Sequence, residues 1–148
     1  MIPAARLIVC ERTGRWATVL RRELGQQGPR VHETRHLDDV WSELPAARAS
    51  LVVVEASPAR LAAVANWLLR LGTTYPLART IIVGDANLAE IEWLLREAGA
   101  IWVHRLIRDP APVVRVALRH LAACRSADRS WREQCFDRLP WSEPADPA

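Results

Sequence analysis

The sequence predicts an α/β protein: a doubly wound, five-stranded parallel sheet in the strand order 2-1-3-4-5. Three observations carry that reading. Short apolar runs, rich in β-branched residues, recur at Leu7-Ile8-Val9, Leu51-Val52-Val53-Val54 and Ile81-Ile82-Val83, as strands buried on both faces require. Between them lie stretches with apolar residues at helical spacing. Helix-start and helix-stop signals punctuate the chain so that a strand is followed by a helix five times, and such crossovers demand parallel pairing.

Taken in order, Arg6–Cys10 is the first strand. Arg15–Leu24 is a helix with Trp16, Val19, Leu20 and Leu24 inward, closed by Gly25. Arg30–Thr34 alternates as an edge strand does. Asp38 caps a second helix with Val40, Trp41 and Leu44 inward, stopping before Pro45. Leu51–Val54 is the central strand, and Glu55 follows at its C-terminal end, where open α/β sheets bind ligands. Ser57-Pro58 opens a third helix, Ala59–Leu71, with Leu61, Val64, Leu68 and Leu71 on one stripe and Gly72 as its stop. Thr80–Val83 is the fourth strand. Asn87 and Glu90 form a capping box for Leu88–Ala98, whose inner stripe is Leu88, Ile91, Leu94, Leu95 and Ala98 before Gly99. Ile101–His104 is the last strand, and Asp109-Pro110 opens a helix with Val113, Val114, Ala117, Leu118 and Leu121 inward.

The 148 residues suit one domain, 1–125, followed at 126–148 by a short amphipathic segment (Trp131, Cys135, Phe136, Leu139) and a Pro-rich, disordered end. Half the residues are apolar and a quarter charged, a globular composition. No apolar run approaches the ~18–20 residues that span a bilayer, and no signal peptide precedes the first strand, so the expected location is cytoplasmic. Cys10, Cys124 and Cys135 are too few and too scattered for a disulfide framework or a zinc site. All twenty basic residues are arginine, which excludes lysine chemistry, and the mild net charge of +3 with no basic block argues against nucleic-acid binding.

Order and spacing over residues 6–125 resemble the receiver domain of bacterial response regulators, a CheY-like (flavodoxin-like) fold. In that family the first strand ends in two acidic residues, and here Leu7-Ile8-Val9 ends in Cys10-Glu11. The central strand ends in the phospho-accepting Asp, and here in Glu55. The fourth ends in Thr or Ser then Ala, and here Ile81-Ile82-Val83-Gly84 leads to Asp85-Ala86. The fifth ends aromatic-aliphatic-x-Lys-Pro, and here, one residue shorter upstream, it reads Trp102-Val103-His104-Arg105.

Each change weakens the chemistry that the resemblance implies. Cys10 is a poor ligand for Mg²⁺, which leaves Glu11 and Glu55 as weak metal candidates. Glu55 carries one methylene too many for in-line phosphoryl transfer, Asp85 repels a phosphoryl oxygen, and Arg105 is the nearest substitute for the lysine. The expectation is a degenerate phosphoacceptor pocket (Glu11, Glu55, Asp85, Arg105) in a phosphorylation-independent pseudo-receiver, with Glu55 paired to Arg105. No cofactor is expected, Mg²⁺ included, and no catalysis. Trp93, about 150° from the apolar stripe of its helix, and Trp102, at the family's switch aromatic, are candidate switch or interface residues. The resemblance implies protein partners, among them a histidine kinase, and a homodimer through helix 4, strand 5 and helix 5. With no output domain after the final helix, a stand-alone adaptor is expected.

Two other readings stay open: a regulator still phosphorylated or metal-loaded at an atypical site, and an enzyme built on Cys10. A thiol between the first strand and a helix N-terminus is similar in placement to the nucleophile of low-molecular-weight protein tyrosine phosphatases, and Asp109-Pro110 to their general acid. That family places Arg six residues after the Cys; here Arg15 falls one residue early and Trp16 takes its place.

Overall fold

The computed structural model describes residues 4–126. Its strands are β1 (Leu7–Cys10), β2 (Val31–Thr34), β3 (Leu51–Glu55), β4 (Arg79–Val83) and β5 (Trp102–His104). Its helices are α1 (Arg15–Leu24), α2 (Leu37–Glu43), α3 (Leu61–Thr74), α4 (Glu92–Glu97) and α5 (Ala111–Ser126). The strands form one parallel sheet in the order β2-β1-β3-β4-β5.

Because side chains alternate across a strand, each buried run feeds two cores. Ile8, Val52, Val54 and Ile82 pack against α2, α3 and α4 through Val40, Val64, Leu68 and Leu95. Leu7, Val9, Val53 and Ile81 face α1 and α5 through Trp16, Leu20, Val113 and Ala117. The whole of Leu51–Val54 is inaccessible to solvent, which accounts for its lack of any polar alternation.

Several boundaries differ from expectation, each for a local reason. His36, not Asp38, caps α2, and its backbone N–H donates to Asp39 Oδ2 at 3.2 Å. Pro45 sits inside a 3₁₀ turn, Leu44–Ala46, beyond that helix. Ser57 makes no side-chain cap; Pro58–Arg60 is a 3₁₀ turn, and α3 begins only at Leu61. That helix continues through Gly72 to Thr74, since a solvent-facing glycine costs a helix only about 1 kcal/mol. The fourth helix is split: Asp85 rather than Asn87 is the cap, a 3₁₀ turn spans Ala86–Glu90, and α4 is confined to Glu92–Glu97. On α1 Ala17 joins the core while Val19 is only half-buried. Ile101 lies outside β5, and Leu118, 100° around from Ala117, is exposed rather than inward. The amphipathic segment expected around Trp131 lies outside the described residues.

Candidate functional site

The C-terminal ends of β1, β3, β4 and β5 and the loops that leave them frame a cleft of about 220 Å³. Glu55 closes β3 in register with Val83, and Asp85 lies two residues further along that neighbouring chain. Arg105 follows β5 directly, so the sheet brings Glu55, Asp85 and Arg105 to one cleft, with Arg15, Trp16 and Ser57 completing its walls. The adjacent Gly84 admits no side chain: a Cβ there would stand 2.6 Å from Leu88 Cδ1 and 2.8 Å from the Ala56 carbonyl. The polar group on that side of the cleft is therefore that of Asp85.

Glu11 is not part of the cleft. Its side chain turns inward and is completely buried, and the two carboxylate oxygens accept the Trp16 N–H at 2.8 Å and the Ala17 N–H at 2.7 Å. The cause lies in the following loop. Gly14, the cap residue of α1, adopts φ +78° and has no side chain to offer the first turn. The orphan N–H groups of that turn need an acceptor, and a carboxylate at the positive end of a helix is the strongest available. The carboxylate read as half of a metal pair is thus a helix cap.

The other carboxylates have lighter duties. Asp85 Oδ1 accepts the Asn87 N–H at 2.9 Å and shapes the 3₁₀ turn. Glu55 Oε2 receives the Arg12 N–H at 3.3 Å, while its backbone carbonyl receives Arg60 Nη1 at 3.5 Å. The expected Glu55–Arg105 ion pair does not form; Arg105 is exposed and makes no ion pair among the described residues. Nor do three or more His, Cys, Asp or Glu side chains among the described residues converge as a metal site would require.

His104, which the sequence reading passed over, and the inward Trp16 fix the loop beside the cleft. His104, buried at the end of β5, has Nε2 at 2.9 Å from the Leu106 carbonyl and 2.7 Å from the Asp109 carbonyl. Both neighbours are acceptors, so Nε2 carries the proton and staples the β5–α5 loop that begins at Arg105. Trp16 meets the His104 ring edge-on at 5.8 Å, joining α1 to that loop. The signal for His104 was its place beside Arg105 at a strand end, which the search for the lysine's substitute overshadowed.

The geometry runs against an enzyme built on Cys10. The thiol is 1% exposed, and burial, the largest influence, pushes its pKa above the ordinary 9.0 although Thr34 and Arg60 pull the other way. A nucleophilic cysteine needs the opposite shift and an open helix N-terminus. Here the first-turn amides of α1 already hold Glu11, and Trp16, at the position of the missing arginine, belongs to the core.

On the other side, Trp93 is 66% exposed on α4. Trp102 on β5 is 37% exposed, with the Arg96 guanidinium 5.7 Å from its ring centroid. Ile101, Leu106 and Leu118 add exposed apolar area on the flanking loops and α5.

No family model and no curated protein matches the chain. Solved structures do. The chain is similar to a CheY-like protein, tadZ, from Pseudomonas aeruginosa PAO1, with a TM-score of 0.61 at 13% identity, over 77% of this chain and 98% of that one. It is similar to a pilus assembly-related protein from Burkholderia pseudomallei K96243, with a TM-score of 0.58 at 21% identity, over 82% and 92%. A third likeness is to a streptococcal redox sensor evolved from two-component response regulators, with a TM-score of 0.58 at 17% identity. There 97% of this chain matches, and it spans 59% of that chain. The fold is therefore that of CheY-like receivers, as the sequence resemblance implied. No helix among the described residues is long and apolar enough to cross a membrane.

Proposed function

We propose that this chain is a pseudo-receiver: a receiver-like signalling module that works in the cytoplasm through protein–protein contact, without phosphorylation or catalysis. The observation that supports this most directly is the position of Glu11, both of whose carboxylate oxygens are spent on the backbone of α1. Octahedral Mg²⁺ needs several oxygens aimed at one point. With Cys10 and Glu11 both withdrawn into the interior, only Glu55 and Asp85 face the cleft, and Asp85 already caps a turn. Those residues do not fit the ion. Without it a phosphoryl group entering the cleft meets the carboxylates of Glu55 and Asp85, with only the Arg15 and Arg105 guanidiniums on its walls to offset them. The fixed charge of Glu55 stands in place of a phosphorylated aspartate as a permanent feature of this surface.

Contact with partners falls to the face carrying Trp93, Trp102, Leu106 and Leu118, where large apolar side chains are exposed on α4, β5, the loop after it and α5. A second copy of this chain or another signalling protein is the partner class that such a face suits.

A titration with Mg²⁺ and beryllofluoride, an acyl-phosphate mimic, tests the reading, followed by tryptophan fluorescence and by backbone amide NMR of Glu55 and Asp85. The expected result is no saturable change in folded protein. A saturable shift of the Trp16, Glu55 or Asp85 signals refutes it and restores a phosphorylatable site.

A further inference from the structure

We propose that the opposite end of the sheet holds a second site, a cleft that binds a small phosphorylated organic molecule of the nucleotide class through Arg6, Arg30 and Arg125. The cleft, about 270 Å³, is framed by the start of β1, the Pro29-Arg30 turn before β2 and the last turn of α5. Three guanidinium-bearing residues thus come together from segments far apart in sequence. Arg6 is paired with Glu43 of α2, whereas Arg30 and Arg125 are exposed and have no ion-pair partner among the described residues. Among the described residues no carboxylate lines the cleft. Positive charge is left over there, and a guanidinium fork matches phosphate oxygens in geometry as well as charge.

His32 reports the local field. Its side chain lies in the cleft, and its pKa falls below the ordinary 6.5, through burial first and then through Arg6 and Arg30, with Glu43 acting weakly the other way. The other cleft groups with chemistry are Arg125 and the half-buried Cys124, both on α5. The cleft is not uniformly polar, since Leu7, Leu121 and Pro29 contribute apolar wall. A cationic rim over an apolar wall suits an amphipathic anion better than a bare one. The volume lies near the roughly 300 Å³ lower bound of small-molecule pockets, which limits the ligand to about mononucleotide size.

The test uses the full chain at low ionic strength, with inorganic phosphate and adenosine 5′-monophosphate as probes and the His32 Cε1–H resonance as readout. An anion between the arginines offsets their repulsion of the imidazolium, so both probes should move His32 saturably and raise its pKa. The monophosphate should bind more tightly than phosphate. The double variant R30A/R125A, which alters only exposed side chains, should keep its circular dichroism and lose affinity about tenfold or more, as the loss of charge-assisted bonds implies. Three results overturn the proposal: no His32 response to either probe, equal responses in wild type and double variant, or a monophosphate no tighter than phosphate. A response centred on Trp16, at the other end of the sheet, overturns it as well.

Discussion

Replacing Glu11 separates a helix cap from a metal ligand, because the two roles predict opposite costs in the absence of metal. In Glu11→Ala the Trp16 and Ala17 N–H groups lose their acceptor in a place from which water is excluded. Hydrogen bonds to charged groups contribute about 1.5–3 kcal/mol each, and an orphaned buried donor costs about 1–3 kcal/mol. The two bonds share one carboxylate, so they do not add in full. About 3–4 kcal/mol is the expected loss, a large share of the ~5–15 kcal/mol that holds a small domain together. Glu11→Gln keeps one acceptor oxygen but turns an amide NH₂ towards the other donor, for a loss of about 2 kcal/mol. The assay is equilibrium urea unfolding in EDTA, followed by circular dichroism. With a slope near 2 kcal/mol per molar urea, Glu11→Ala moves the midpoint down by roughly 1.5–2 M. The control is Glu55→Gln, which removes only a weak 3.3 Å contact to the Arg12 N–H, so its expected change is within about 0.5 kcal/mol. A Glu11→Ala midpoint that coincides with the Glu55→Gln control refutes the capping argument. It would also return a free carboxylate to the cleft and remove the main support for the pseudo-receiver.

Three further outcomes are expected. Cys10, buried and with its pKa raised, resists iodoacetamide at pH 8 in the folded protein and reacts once urea exposes it; mass spectrometry of the labelled peptide checks this, and rapid native labelling would contradict the burial. Glu33 is raised by desolvation but more than compensated by Arg35 and Arg21, so its folded pKa lies below the ordinary 4.5. Its contribution is present above that value and lost as pH falls through the folded pKa, so Glu33→Gln should be less stable than wild type at pH 7 and approach it at a pH low enough to protonate Glu33 in the folded protein, read from thermal melts. Trp93→Asp places a charge on an exposed apolar patch, so it should leave the urea midpoint within about 0.5 kcal/mol and abolish self-association or partner capture through that face; unchanged sedimentation and capture would remove Trp93 from any interface.

Much of this fold was legible because a strand buried on both faces has little choice of residue. Leu51–Val54 and Ile81–Val83 could be placed from composition alone, and the crossover rule then set their direction. Boundaries set by a single side chain were not legible. Asp85 and Asn87 are both good caps, and the choice between them turned on which side-chain oxygen reached which N–H across one turn. Gly72 reads as a stop signal until Leu71 is seen to hold Tyr75 in the next turn.

The site shows the same division more sharply. The end of each strand located Glu55, Asp85 and Arg105, because strand register carries them to one edge whatever their side chains do. Glu11 sits at such an end too, yet its direction depends on the loop after it. The clue was present: Arg12-Thr13-Gly14 leads into α1 with glycine at the cap position, so no local side chain satisfies the first-turn N–H groups and some more distant acceptor must. A missing cap is as informative as a motif, since buried helix ends rarely go unpartnered. That accounting also bears on the proposed function. Fully buried and with each oxygen accepting an N–H of α1, the Glu11 carboxylate is turned away from the cleft where a divalent cation would sit, and Cys10 beside it is buried too. What remains of the receiver plan is its shape and the apolar surface it presents, and on the proposed reading signalling through this chain travels by contact.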